Sequence, residues 1–101
     1  METKVVHCKK EKYNILIDRR TIFGNPYIIG QDGDRDEVIL KFEEWLRGKR
    51  DTNWKQEKRK EILRRLSELK GRILACWCRP HACHGDVYIK LEKENYAYSG
   101  D

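Results

Sequence analysis

With 101 residues the chain has room for one compact domain over residues 1–101 and not for two. Charged residues make up 39% and apolar residues another 39%, yet three Trp, five Tyr and two Phe supply the bulky core material that disordered chains lack. No apolar run approaches the ~20 residues of a membrane span, and Met1-Glu2-Thr3-Lys4 passes straight to Val5-Val6 with no secretion-signal core, so the expectation is a cytoplasmic protein without a membrane partner.

The β-branched run at 4–8 predicts a first strand, and Tyr13-Asn14-Ile15-Leu16-Ile17 predicts a second after a charged turn. Gly24-Asn25-Pro26 then marks a structured loop, because Gly and Asn tolerate positive φ while Pro fixes its own. Asp34 with Glu37 forms a capping pair ahead of a helix whose Val38, Phe42, Trp45 and Leu46 share one face, and Gly48 ends it. A second helix is expected from 53 or 54 to 69, with Ile62, Leu66 and Leu69 on its apolar side. Its polar first turns are expected to leave Lys55, Lys58, Arg59 and Lys60 in solvent or facing a partner. The run at 72–77 predicts a strand covered on both faces, and 86–94 predicts a last helix rather than a strand, since Glu92-Lys93-Glu94 suits a helix better. The tail at 97–101 is expected to fray.

This order, β, β, α, α, β, α, implies a small α/β domain, two or three layers deep, with parallel strands and about three helices. If the first and third strands lie parallel and adjacent, their C-terminal ends meet on one sheet edge, where open α/β sheets bind ligands.

Basic charge is concentrated in residues 47–72, with eleven Lys or Arg against four acids. Such a segment attracts nucleic acid, or else it is a solvated helix face laced with ion pairs such as those of Glu57 and Glu61 with Lys58, Arg64 and Arg65.

The expected sheet edge collects the unusual residues: His7 and Cys8, Cys76-Trp77-Cys78, and Cys83-His84-Gly85-Asp86. A disulfide framework does not suit a chain with ordinary core segments and no secretion signal. On an extended strand the sulfurs of Cys76 and Cys78 would stand about 7 Å apart on one face. Three chemistries remain open. Cys8, Cys76, Cys78 and Cys83 can ligate zinc or an iron–sulfur cluster, although C-x-C is not a standard zinc spacing. Alternatively the thiols pack as small buried residues. Or Cys83, with Cys78 second, is a nucleophile activated by a helix N-terminus and by neighbouring Arg79 or His84, with Asp86 as general base or plain helix cap. Independently, the amides at His84-Gly85-Asp86, with Arg79, Arg19, Gly24 and Asn25, form a candidate site for a phosphate-bearing small molecule or nucleic acid.

The combination of Val5-Val6-His7-Cys8, Arg19 with Gly24-Asn25-Pro26-Tyr27, and Cys76-Trp77-Cys78-Arg79-Pro80 with Cys83-His84-Gly85-Asp86 resembles the family called domain of unknown function 4326. The likeness spans nearly the whole chain. That family's loop usually reads Gly-Arg-Pro where this chain has Asp18-Arg19-Arg20, so Arg19 is kept. The resemblance implies a shared site built from the two motifs, and leaves open either an enzymatic or ligand-binding domain acting on a nucleotide, a metal-stabilised nucleic-acid module, or a protein-interaction factor.

Overall fold

Three short parallel strands order the molecule in a computed structural model that describes residues 2–98. Strand β1 (Lys4–His7) and strand β2 (Ile15–Leu16) flank the central β3 (Ile73–Cys76). Val5 pairs with Leu74 and His7 with Cys76 on one side; Ile15 pairs with Leu74 and Leu16 with Ala75 on the other. Leu74 and Ala75 are wholly buried, as the apolar run at 72–77 required. The second strand is shorter than 13–17, but the ladder continues beyond it through Asn14 N–H to Ile73 O at 2.8 Å and Ile17 N–H to Ala75 O at 2.9 Å.

The local signals of the first helix all appear in α1 (Arg35–Leu46). Asp34 and Glu37 form the reciprocal capping box, and Val38, Phe42, Trp45 and Leu46 are its buried face. Gly48, at φ 77°, donates to Trp45 O, and Lys49 donates to Glu44 O. This pair of bonds is the Schellman closure, which needs the left-handed conformation that glycine adopts without strain.

The second helix is shorter than expected. Helix α2 (Gln56–Arg64) gives way to a 3-10 segment at Leu66–Leu69. Three residues per turn stack positions three apart, so Leu66 and Leu69 lie on one side, with Leu69 buried. Helix α3 (Gly85–Lys93) follows β3 through a loop and is helical, burying Val87, Tyr88 and Leu91.

The basic segment is not the free cationic face that its polarity suggested. Arg59 is 6% exposed, and its Nε donates to Trp45 O at 3.0 Å and Leu46 O at 3.1 Å, so it supplies a side-chain donor to two carbonyls at the end of α1. Lys58 reaches Ile22 O at 2.7 Å. Arg64 pairs with Glu61, Arg65 with Glu68, Arg50 with Glu44, and Arg47 with Glu43 and Glu94. Of the expected ion pairs, those of Glu61 with Arg64 and Arg65 are found, while Lys58 is bound to a backbone carbonyl instead. Exposed pairs of this kind contribute only about 0–1 kcal/mol each, so the buried arginine is the structurally important one. Among the described residues, no helix is long and apolar enough to cross a membrane.

Candidate functional site

Because all three strands are parallel, their carboxyl ends share one edge, and the segments leaving them are neighbours. Asp18 follows β2, and Trp77 follows β3; the indole Nε1–H of Trp77 donates to Asp18 Oδ2 at 3.1 Å. Next to this contact opens a cavity of about 270 Å³. Arg19, Arg20 and Asn25 line it from the loop after β2, Arg35, Val38 and Ile39 from α1, and Cys76, Cys78, Cys83 and His84 from the end of β3 and the start of α3. Two motifs more than fifty residues apart thus form one concavity.

The loop after β2 is held rigidly. Asn25 Nδ2 donates to Val38 O at 3.1 Å, and its Oδ1 accepts from Tyr27 N–H at 2.9 Å, so this side chain fastens the loop to α1. Gly24 lies against the backbone of Asp18: a Cβ there would come within 2.5 Å of the Asp18 carbonyl oxygen. Asp18 receives Arg20 through Nε and Nη2 at 2.9 and 2.7 Å. Both nitrogens bond Oδ2, Arg20 N–H bonds Oδ1 at 2.9 Å, and these contacts hold the buried carboxyl down at about 2. Arg19 directs Nη2 toward Tyr27 O, and Arg35 donates to Ala82 O at 3.3 Å. Neither Arg19 nor Arg35 has a carboxylate partner among the described residues.

At the other end of the cavity the sulfurs of Cys76, Cys78 and Cys83 all lie within 4.8 Å of one another. Cys76 and Cys78 approach to 3.8 Å rather than the roughly 7 Å of an extended strand, because β3 stops at Cys76 and the chain bends at Trp77. The bend brings Cys78 back toward its neighbour. Cys78 is pushed well below the usual thiol range by the adjacent Cys76 thiol, then by Cys83, with the Arg35 guanidinium adding to both. Cys76 is raised by its contact with Cys78, and Cys83 is raised by Cys76, by Cys78 and by burial. Of the three, Cys78 is the one that faces an arginine.

Cys8 does not join them. Its amide donates to Cys76 O at 2.9 Å, so the backbone is close. In register, however, His7 lies opposite Cys76, which puts the next side chain out of step with it.

His84 is a structural residue of the cavity wall. It is 6% exposed, and its Nε2 lies 2.8 Å from Ile17 O and 3.1 Å from Phe23 O. Both partners can only accept, so Nε2 carries the ring proton and Nδ1 is left as a lone pair 3.5 Å from Cys83 Sγ. Burial depresses its protonation although the two carbonyls favour it.

The start of α3 does not present the free amides expected of an anion site. Gly85 N–H points at Cys83 Sγ at 3.4 Å, Asp86 N–H at Cys83 O and Val87 N–H at His84 O. Gly85 itself is packed so closely that a Cβ would meet Val5 Cγ2 at 2.7 Å and Ile17 Cδ1 at 2.8 Å. Arg79 and Asp86 lie outside the cavity lining. Arg79 ties Asp86 to the β1 carbonyl of Val5 at 3.2 Å, and Asp86 Oδ2 accepts the Cys83 N–H at 3.1 Å. Burial would raise the Asp86 carboxyl, but Arg79 lowers it on balance, so this residue is an ionised clamp on the cysteine loop.

A profile of the family described as domain of unknown function 4326 matches residues 3–94. The chain belongs to that family. It is also similar to an uncharacterized 12.4 kDa protein in the nrdA-td intergenic region of enterobacteria phage T4, with 32% identity over 91 residues, 87% of this chain and 75% of the phage protein. No solved structure matches the chain significantly. In this member of the 4326 family, both loops of the cavity lie within the matched span.

Sequence reasoning missed Arg35 and Asp18 as parts of the site, and placed Trp77 at the sheet edge without giving it a role. One signal was available for Arg35: it occupies the first position of a helix, where the dipole disfavours a cation and where Asp36 and Glu37 follow the usual preference. A residue placed against that preference has another partner, here the Cys78 thiol and Ala82 O.

Proposed function

We propose that the cavity binds a phosphate-bearing small molecule of the nucleotide class. The observation that carries this reading is the charge of one concavity: Arg19, Arg20 and Arg35 face a single carboxylate, Asp18, which Arg20 already neutralises. Two guanidinium groups remain without a carboxylate, and guanidinium forks suit phosphate oxygens. Apolar walls supply the other half of the recognition. Trp77 and Ile29, 50% and 47% exposed, line the same space and offer a surface on which a planar base can lie. The anion is bound by side chains in this reading, not by the start of α3.

Thermal denaturation with nucleoside monophosphates, the matching nucleosides and inorganic phosphate tests the proposal. Ligand at a hundred times its Kd contributes about 2.7 kcal/mol, which for a domain of this size raises Tm by roughly 10 °C or more. Monophosphates are expected to give the largest rise, and Arg19→Ala or Arg35→Ala to remove most of it, while Lys60→Ala keeps it. No rise with any of these compounds, or equal rises with nucleoside and monophosphate, would contradict the reading.

A further inference from the structure

We propose that Cys76, Cys78 and Cys83 bind one zinc-class divalent ion through three sulfurs, leaving its fourth coordination position open toward the cavity. Zinc–thiolate bonds of about 2.3 Å at tetrahedral angles put neighbouring sulfurs about 3.8 Å apart. The Cys76 and Cys78 sulfurs already stand at that spacing, 3.8 Å, and Cys83 completes a set spanning no more than 4.8 Å. No fourth His, Cys, Asp or Glu among the described residues joins the set within that range. His84 turns its unprotonated Nδ1 toward Cys83 Sγ at 3.5 Å, but neither ring nitrogen lies within that range of all three sulfurs. Three protein ligands and one vacant position is the pattern of zinc sites that take an exogenous ligand, whereas structural sites are closed by four.

Donors already face two of the three sulfurs. Gly85 N–H points at Cys83 Sγ at 3.4 Å, and outer-shell amide donors of this kind orient and stabilise metal-bound sulfur. The Arg35 guanidinium lies beside Cys78 and Asp86 holds the amide of Cys83, so the loop is fastened independently of any ion. The alternatives explain less. A cysteine nucleophile needs one thiolate and an orienting base and has no use for two further thiols packed against it. An iron–sulfur cluster distributes its cysteines over several irons and needs a wider spread of sulfurs than this one. The metal site stands independently of the nucleotide reading, since it requires no other ligand.

The experiment is a cobalt and zinc titration of the full chain, purified under reducing conditions and stripped with a chelator. One equivalent of Co²⁺ is expected to develop thiolate-to-cobalt absorption with tetrahedral d–d bands, and Zn²⁺ to displace it. Added azide or imidazole is expected to shift the d–d bands while the thiolate absorption stays, as an open position requires. Cys78→Ser is expected to weaken binding at least about tenfold, a loss that even outer-shell changes typically cause, and Cys8→Ser to leave it unchanged. If Cys78→Ser does not fold, the wild-type chain decides: Zn²⁺ should slow alkylation of Cys78 and a chelator should restore it, with Cys8 indifferent to both. A chain that develops no cobalt absorption, or whose affinity survives Cys78→Ser, or falls with Cys8→Ser, or whose Cys78 alkylates equally with and without zinc, would overturn the metal site. Bands insensitive to every added ligand would overturn the open position.

Discussion

The indole N–H of Trp77 donates to the carboxylate of Asp18 at 3.1 Å, joining the segment that leaves β3 to the segment that leaves β2 across 59 residues of sequence. That bond joins the two loops that form the cavity, and Arg20 holds the same carboxylate oxygen at 2.7 Å.

Acid should break this junction. In the unfolded chain Asp18 titrates near the ordinary value of about 3.9, whereas the folded value is about 2, so the stabilisation is fully present above the unfolded value and is lost as pH falls from about 4 toward 2. Wild-type protein is therefore expected to lose stability over that interval more steeply than Asp18→Asn, followed by urea unfolding at each pH. Parallel acid limbs for the two proteins would show that the carboxylate carries no such coupling.

Two glycines should resist substitution for steric reasons. A Cβ at Gly24 meets the Asp18 carbonyl oxygen at 2.5 Å, a backbone atom that cannot swing aside, and one at Gly85 meets branched Val5 and Ile17 side chains. Overpacking of this kind costs about 1–3 kcal/mol. Urea midpoints should fall for both Gly24→Ala and Gly85→Ala, with Gly24→Ala falling further.

Arg59 and Lys60 are adjacent cations with different structural roles. Removing the guanidinium with Arg59→Met leaves the Trp45 and Leu46 carbonyls without that donor and should cost about 1–3 kcal/mol. Lys60→Ala is expected to stay within about 0.5 kcal/mol of wild type, as surface changes usually do. Equal unfolding midpoints for the two variants would contradict the capping role.

His84→Ala should be among the most damaging changes in the cavity wall. It removes a buried ring and its contacts to two carbonyls, and a combined loss of about 3 kcal/mol is expected. His84→Asn, which can return one donor, should recover part of it; thermal unfolding of the two variants makes the comparison.

Local features were legible in the sequence because their partners are near in the chain. The Asp34 and Glu37 capping box, the Gly48 stop and the face of Val38, Phe42, Trp45 and Leu46 each need only a few residues of context. A parallel, adjacent β1 and β3 was the condition set from topology and is what is found, whereas the meeting of the Gly24-Asn25 loop and the Cys83 loop comes from the pairing of β2 with β3. Choices of distant partner were not legible. Arg59 looked like one more helix-face cation until α1 offered it carbonyls, and Cys8 looked equivalent to the other cysteines until the pairing of His7 with Cys76 put it out of step. The close approach of Cys76 to Cys78 depends on where β3 ends, and a strand end lies below the resolution of pattern reading.

The most direct test is an amide and indole NMR titration of the whole chain with a nucleoside monophosphate. Binding in the shared cavity predicts concerted shifts at Arg19, Arg20, Asn25, Arg35, Cys78 and the Trp77 indole, saturating together. Shifts confined to the basic segment at 47–72, or to only one of the two loops, would contradict it.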